Sequence, residues 1–324
     1  MTGSQRFNLT MAYQTPDRVP YFDEGLRDGV LEAWQGQGLP KGTDLAAMFH
    51  FDRREKVSVD CDPHPKVRKW PASQNDLEAF RRRFDPDEPG RLPKNWTAEV
   101  AEWRSRGYIL ELPLHPGFFL SMGVEGWRRC EEVLYQVADT PSLVREILEI
   151  RGECTARLAD RVLSQVEVDF ASFSEPTGGN DGPLISPKTY REVLLPGYRP
   201  ILDVLRRHGV KTIVVITYAN PRALLPAMIE AGFNCLWACE ANMDEMDYRD
   251  LRREFGRDLR LIGGIDLDAL LAGESAMRRE IAGKVPELLA QGGYIPIADG
   301  RVRENIPFAN YAYYRNLLEQ VTTL

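Results

Sequence analysis

The chain has 324 residues, 43% of them hydrophobic, which is enough to build a sizeable core. Its formal net charge of −7 disfavours nucleic acid, whose phosphates would repel it. No stretch approaches the ~20 apolar residues that span a bilayer, and no apolar signal segment follows Met1–Arg6. The expectation is therefore a cytoplasmic protein with no membrane partner. The five cysteines, an odd number without a secretion signal, are expected as free thiols.

In chain order, residues 19–22 (VPYF) form the first predicted strand, after a turn at 16–18. Residues 56–60 and 108–112 are the second and third. Between them, 76–106 is charged and proline-rich, and reads as an elaboration over a barrel mouth or an oligomer contact. Residues 168–174, 212–217, 234–239, 259–263 and 294–298 complete a set of eight. These five are short, apolar and rich in β-branched or aromatic residues, as parallel strands covered on both faces should be. Helical patterns separate them. Ser186 as N-cap and Pro187 in the first turn open one, expected to stop before Pro196. Others span 200–208, 221–231, 246–255 and 275–291, ending on Gly209, Gly232, Gly256 and Gly292. Alternating strands and helices predict a single (β/α)8 TIM barrel over residues 1–324, with N-terminal and loop elaborations.

In that architecture the reaction site uses the loops after the strands. Those loops carry Asp23, Glu24 and Arg27, then Cys61, Asp62 and His64, then His115, then Glu175, Asn180 and Asp181. They continue with Tyr218 and Asn220, Glu240 and Asn242, Asp266, and finally Asp299, Arg301 and Arg303. Crowded carboxylates raise one another's pKa, which suits proton transfer. The catalytic candidates are thus Asp266, Asp299, His115, Glu175 and Tyr218. Arginines fork onto carboxylates, so Arg27, Arg301 and Arg303 are substrate-binding candidates, with Asn220, Glu240, Asn180 and His64. The competing reading is a set of ion pairs that lock the loops. Glu175, Glu240, Asp266 and Asp299 also present oxygen ligands of the kind a divalent cation such as magnesium takes. Cys235, Trp237 and Cys239 alternate on one strand, which favours packing over metal binding. Gly178 and Gly179 lack the spacing of a dinucleotide or phosphate-loop fingerprint.

Several blocks together resemble the uroporphyrinogen decarboxylase superfamily, which includes the decarboxylase and zinc-dependent methyltransferases acting on methylcobamides. They are Thr15-Pro-Asp-Arg-Val-Pro20, Gly123-Val-Glu-Gly-Trp127, Glu175 with Gly182 to Pro187, Gly263-Gly-Ile-Asp266, Gly292-Gly-Tyr-Ile295 and Ile306-Pro-Phe-Ala-Asn310. The resemblance implies a TIM barrel, a small-molecule substrate and often a homodimer. The functional positions depart from the family pattern. Where the methyltransferases place His-x-Cys after the fifth strand, this chain has Ile216-Thr217-Tyr218, and Gly300 stands at the late cysteine or histidine. Arg27 lies near the decarboxylase's early arginine motif without matching it, and Asp60 or Asp62 falls in the region of its aspartate. The leading expectation is a metal-independent lyase, a decarboxylase of a small carboxylated substrate needing no cofactor. The alternatives are a corrinoid-linked methyltransferase or demethylase working with a corrinoid protein, and a catalytically silent barrel that binds a small ligand.

Overall fold

A computed structural model describes residues 1–179, 181–240 and 245–323. The chain divides into two units, one formed by Met1–Glu55, Gly107–Ile109 and Cys235–Leu324, the other by Lys56–Arg106 and Leu110–Asn234. Each alternates parallel strands with helices, so the fold is α/β. Among the described residues, no helix is long and apolar enough to cross a membrane. All five cysteines are free and buried.

In the second unit, the strands Ile109–His115, Phe170–Ser174 and Ile213–Thr217 pair in parallel, with Leu112 opposite Ala171 and Ala171 opposite Ile213. The register shifts between Pro113 and His115. A proline has no N–H to give the ladder, and such irregularities are where a strand tolerates one. The strand therefore runs through Pro113 instead of stopping before it, and His115 lies on the strand and not in the loop beyond. The helix Pro141–Leu163 packs on Leu195–Arg207 at a glycine contact. A Cβ on Gly152 would sit 1.9 Å from the Gly197 carbonyl oxygen, so only glycine permits this approach.

The expected stop before Pro196 is absent. A π-turn over Tyr190–Leu194 lets a new helical segment begin at Leu195, with Pro196 in its first turn. There the missing N–H costs no helical bond.

In the first unit, Cys235–Ala238, Arg260–Ile265 and Tyr294–Ala298 are parallel neighbours, with Leu236 opposite Leu261 and Gly264 opposite Ile297. Gly263 and Gly264 adopt φ of 113° and 84°. Their lack of side chains makes room for Tyr248, whose hydroxyl donates to the Ile262 carbonyl (2.8 Å) and accepts from the Ala238 N–H (3.2 Å).

Two strand expectations are corrected. Residues 19–22 form no strand; instead the Tyr21 N–H donates to Asp52 Oδ2 (2.8 Å) and the Asp52 N–H to the Tyr21 carbonyl (2.7 Å). Backbone pairing resumes only as an isolated parallel bridge between Leu26 and Val302. The strand expected at 56–60 lies at Arg54–Lys56. The described residues thus hold seven strands of three or more residues, not eight.

Candidate active site

The ends of two strands in the first unit meet in an acidic cluster. Tyr294–Ala298 delivers Asp299 and Gly300, and Cys235–Ala238 delivers Cys239 and Glu240. The Asp299 N–H donates to the Ile265 carbonyl (2.7 Å), which fixes the turn. Its side chain is buried, and Oδ1 has no hydrogen-bond partner among the described residues. Burial raises the Asp299 pKa to about 8; the Glu240 N–H opposes this, and the carboxylates of Asp266, Glu240 and Glu24 add to it. At neutral pH this carboxyl carries a proton. Burial and the neighbouring Glu24 carboxylate push the Cys239 thiol far up, so it is no thiolate nucleophile. Asp266 caps the Leu267–Ala272 helix by accepting from the Asp268 N–H (2.8 Å), and burial raises its pKa.

Arg27 forms an ion pair with Glu240, whose backbone sits in the left-handed region at φ 53°. Such a conformation in a non-glycine residue marks strain that the surroundings must hold. Gly300 leaves room for the Glu240 side chain, since a Cβ there would lie 2.8 Å from Glu240 Cγ. A cavity of about 480 Å³ is lined by Arg27, Asp28, Arg301, Arg303, Glu304 and Asn305. Arg303 pairs with Asp268 at 3.4 Å. Arg301 has no acidic partner among the described residues.

In the second unit, Glu175 is fully enclosed. Its Oε1 accepts from the Phe118 N–H (2.9 Å) and its Oε2 from the Tyr198 hydroxyl. Burial lifts its pKa to about 7 against those two donors. His115 is stacked on Phe173 and meets Tyr198 edge-on at 4.5 Å. The Gly117 N–H donates to its Nδ1 (3.0 Å), which assigns the proton to Nε2. Burial, aided by Arg151, holds the imidazole well below its ordinary pKa. His115 is a neutral core residue at neutral pH. Asn220 Oδ1 accepts from the Arg222 N–H (3.0 Å), and Tyr218 is 42% exposed. His64 lies between Asp60 (2.8 Å) and Glu88 (3.1 Å). Asn180 and Asn242 fall outside the described residues.

Of the sequence candidates, Asp299, Asp266, Glu240, Arg27, Arg301 and Arg303 belong to the first unit, and Glu175, His115, Tyr218, Asn220 and His64 to the second. Glu24 and its contact with Cys239 join the first group only through tertiary proximity. The four-carboxylate cation site finds no support: among the described residues, no three His, Cys, Asp or Glu side chains are grouped to hold a metal. Ile216, Thr217, Tyr218 and the bare Gly300 supply no soft or imidazole donor, so these positions do not fit a zinc-thiolate centre.

Parallel strands whose C-terminal ends carry buried acids beside arginines define an α/β protein with an enzyme-like site. The family model for uroporphyrinogen decarboxylase (URO-D) matches residues 119–311, more than half of the sequence. The chain belongs to the URO-D family. Among solved structures, a methyltransferase from Methanosarcina mazei superposes with a TM-score of 0.65 at 14% identity, covering 99% of each chain, and shares the fold. Two complexes of endo-glycoceramidase II from Rhodococcus sp., one with a cellobiose-like imidazole and one with a five-membered iminocyclitol, give TM-scores of 0.40 and 0.38. Their identities are 15% and 16%, they cover 93% and 92% of this chain and 80% and 79% of their own, and the superpositions are too loose to define a common fold. No curated protein sequence matches.

Proposed function

We propose that this chain is a metal-independent decarboxylase of a small polycarboxylate, with Asp299 as the proton donor. The observation that carries the reading is a buried Asp299, its Oδ1 without a hydrogen-bond partner among the described residues and its pKa raised by burial, joined by Gly300 to Arg301. Arg301, free of acidic partners among the described residues, would hold a spectator carboxylate together with Arg303. Arg27 would do so once released by Glu240. The substrate's C–C bond to the departing carboxylate breaks and carbon dioxide leaves. The electron pair remains on carbon, and Asp299 delivers its proton there. Solvent then reprotonates the Asp299 carboxylate. The high pKa matters because a donor ionised at working pH has no proton to give.

The test is carbon dioxide release from a panel of di-, tri- and higher carboxylates, uroporphyrinogen included, run in deuterated water. The reading expects solvent deuterium at the vacated carbon and loss of turnover in Asp299→Asn. Turnover at wild-type rate in that variant would refute it. The shared fold of the Methanosarcina mazei methyltransferase supports a second reading, methyl transfer from a corrinoid substrate without a zinc-bound thiol. It expects spectral change of methylcobalamin on mixing with the protein and an acceptor; an unchanged spectrum across acceptors removes it.

A further inference from the structure

The second unit contains a cavity of about 1460 Å³ that the proposed reaction does not use. It is roomier than the ~300–1,000 Å³ of ordinary small-molecule sites. Its wall joins the loop around residues 60–72 to the first turns of the Trp127–Asp139 helix. Two properties set what it can hold.

The first is aromatic surface left in water. Trp127 is 84% exposed, Tyr135 63% and Leu120 51%, and all three line the cavity. Trp70 lines it too and packs closely on Gly123, where a Cβ would fall 2.2 Å from its indole. The Arg129 guanidinium is 5.5 Å from the Trp70 ring centroid. Clustered apolar side chains with polar neighbours mark a binding surface, whereas isolated ones need no explanation.

The second is charge. Four lining cations contact three lining carboxylates: Lys66 meets Glu125 (2.9 Å), Arg128 and Arg129 share Glu132 (3.3 Å each), and Arg151 meets Asp62 (2.7 Å); with Asp60 included, the lining holds one more lysine or arginine than carboxylates. His64 engages Asp60. Arg68 alone among the lining cations has no acidic partner among the described residues. Deeper in, Arg151 is 3% exposed, and its Nε–H has no acceptor among the described residues. Gly126, the N-cap of the Trp127–Asp139 helix, offers no side chain to its first-turn N–H groups and also lines the cavity. One excess positive charge, an unused buried donor and an aromatic wall together select a flat ring carrying a single negative charge.

We propose that this cavity is a binding site for an aromatic monoanion, a carboxylate or sulfonate on one or two rings. The rings would lie against Trp127 and Trp70, with the anion on Arg68. The site shares no residue with Asp299 or its arginines, on which the decarboxylase reading rests, although His64, a substrate-binding candidate from the sequence, lines it.

The probe is 8-anilinonaphthalene-1-sulfonate, compared with N-phenyl-1-naphthylamine, which has the same rings and no charge. Both are titrated into the full chain by fluorescence. The expected result is one saturable sulfonate site, bound more weakly by the uncharged dye. Arg68→Gln should weaken the sulfonate about tenfold, the usual scale for losing one charged contact, and leave the uncharged dye unaffected. Trp127→Ala should weaken both. Arg68 and Trp127 are exposed, so neither change threatens the fold, which circular dichroism checks. Sulfonate binding unchanged in both variants overturns the proposal, as does equal weakening of both dyes by Arg68→Gln. Concentration-dependent self-association that Trp127→Ala abolishes, with dye binding intact, also overturns it and assigns the patch to a second copy of the chain.

Discussion

Replacing Asp299 by asparagine tests the protonated acid without knowing the substrate. The unfolded aspartate titrates near its ordinary value of 3.8, the folded one at about 8. The folded value is the higher, so the native state binds the proton more tightly than the unfolded chain does. This contribution to stability is complete below about pH 4, declines as pH rises, and is gone above about pH 8. Each tenfold difference in proton affinity is worth ~1.4 kcal/mol, so the full swing is on the order of 6 kcal/mol. The amide of the variant has nothing to titrate. The assay is urea unfolding of both proteins from pH 5 to pH 9, taking the wild-type minus variant stability at each pH. The difference should fall steadily toward pH 8 and then level off, over a constant offset from the amide. An infrared carbonyl band from a protonated carboxyl, lost in the variant, provides a second readout. A difference that stays flat from pH 5 to pH 8.5 would falsify the protonated Asp299 and remove the proton donor from the proposed mechanism.

Other outcomes follow from the same physics. Glu175→Gln should abolish a smaller pH dependence between about 4.5 and about 7, worth on the order of 3 kcal/mol, seen as a flatter unfolding midpoint across that window. Gly152→Ala should cost about 3 kcal/mol or more, because the added carbon meets the Gly197 carbonyl and both partners are helix backbone; a melting temperature within a degree of wild type contradicts the helix contact. Arg301→Ala should raise KM for the decarboxylase substrate with kcat little changed; a fall in kcat with KM unchanged would assign Arg301 to the transition state instead. The five buried thiols should react with a disulfide reagent far more slowly in the native protein than after denaturation; rapid native labelling of any one would contradict its burial.

Much of the parallel-strand framework was legible in the sequence. The strand at Tyr294–Ala298 matched its expected bounds, since Gly292-Gly293 and Asp299-Gly300 punctuate it on both sides. Elsewhere tertiary context overrode local signals. Pro113 looked like a strand end, yet sits at a register shift where its missing N–H does no harm, and this carried His115 into the core. Residues 19–22 had strand composition, but their backbone bonds went to Asp52 and left no ladder. The polar residues at strand ends could be named from alternation alone. Which of them meet could not: the Arg27–Glu240 pair spans 213 positions, and no local pattern encodes it. The same holds for Arg68, whose meaning depends on every neighbouring cation having found a carboxylate.

The contact between Glu240 and Gly300 ties two positions into one unit of inheritance. Any side chain at 300 must evict the Glu240 methylene it would strike, and eviction breaks the hold on Arg27. A lineage that acquires a metal-binding or acidic residue at 300 therefore uncovers an arginine in the same step, altering what the cavity attracts before any further change. Drift at 300 alone meets a steric barrier that a smaller residue at 240 would remove, so change at 240 is expected to come first or with it.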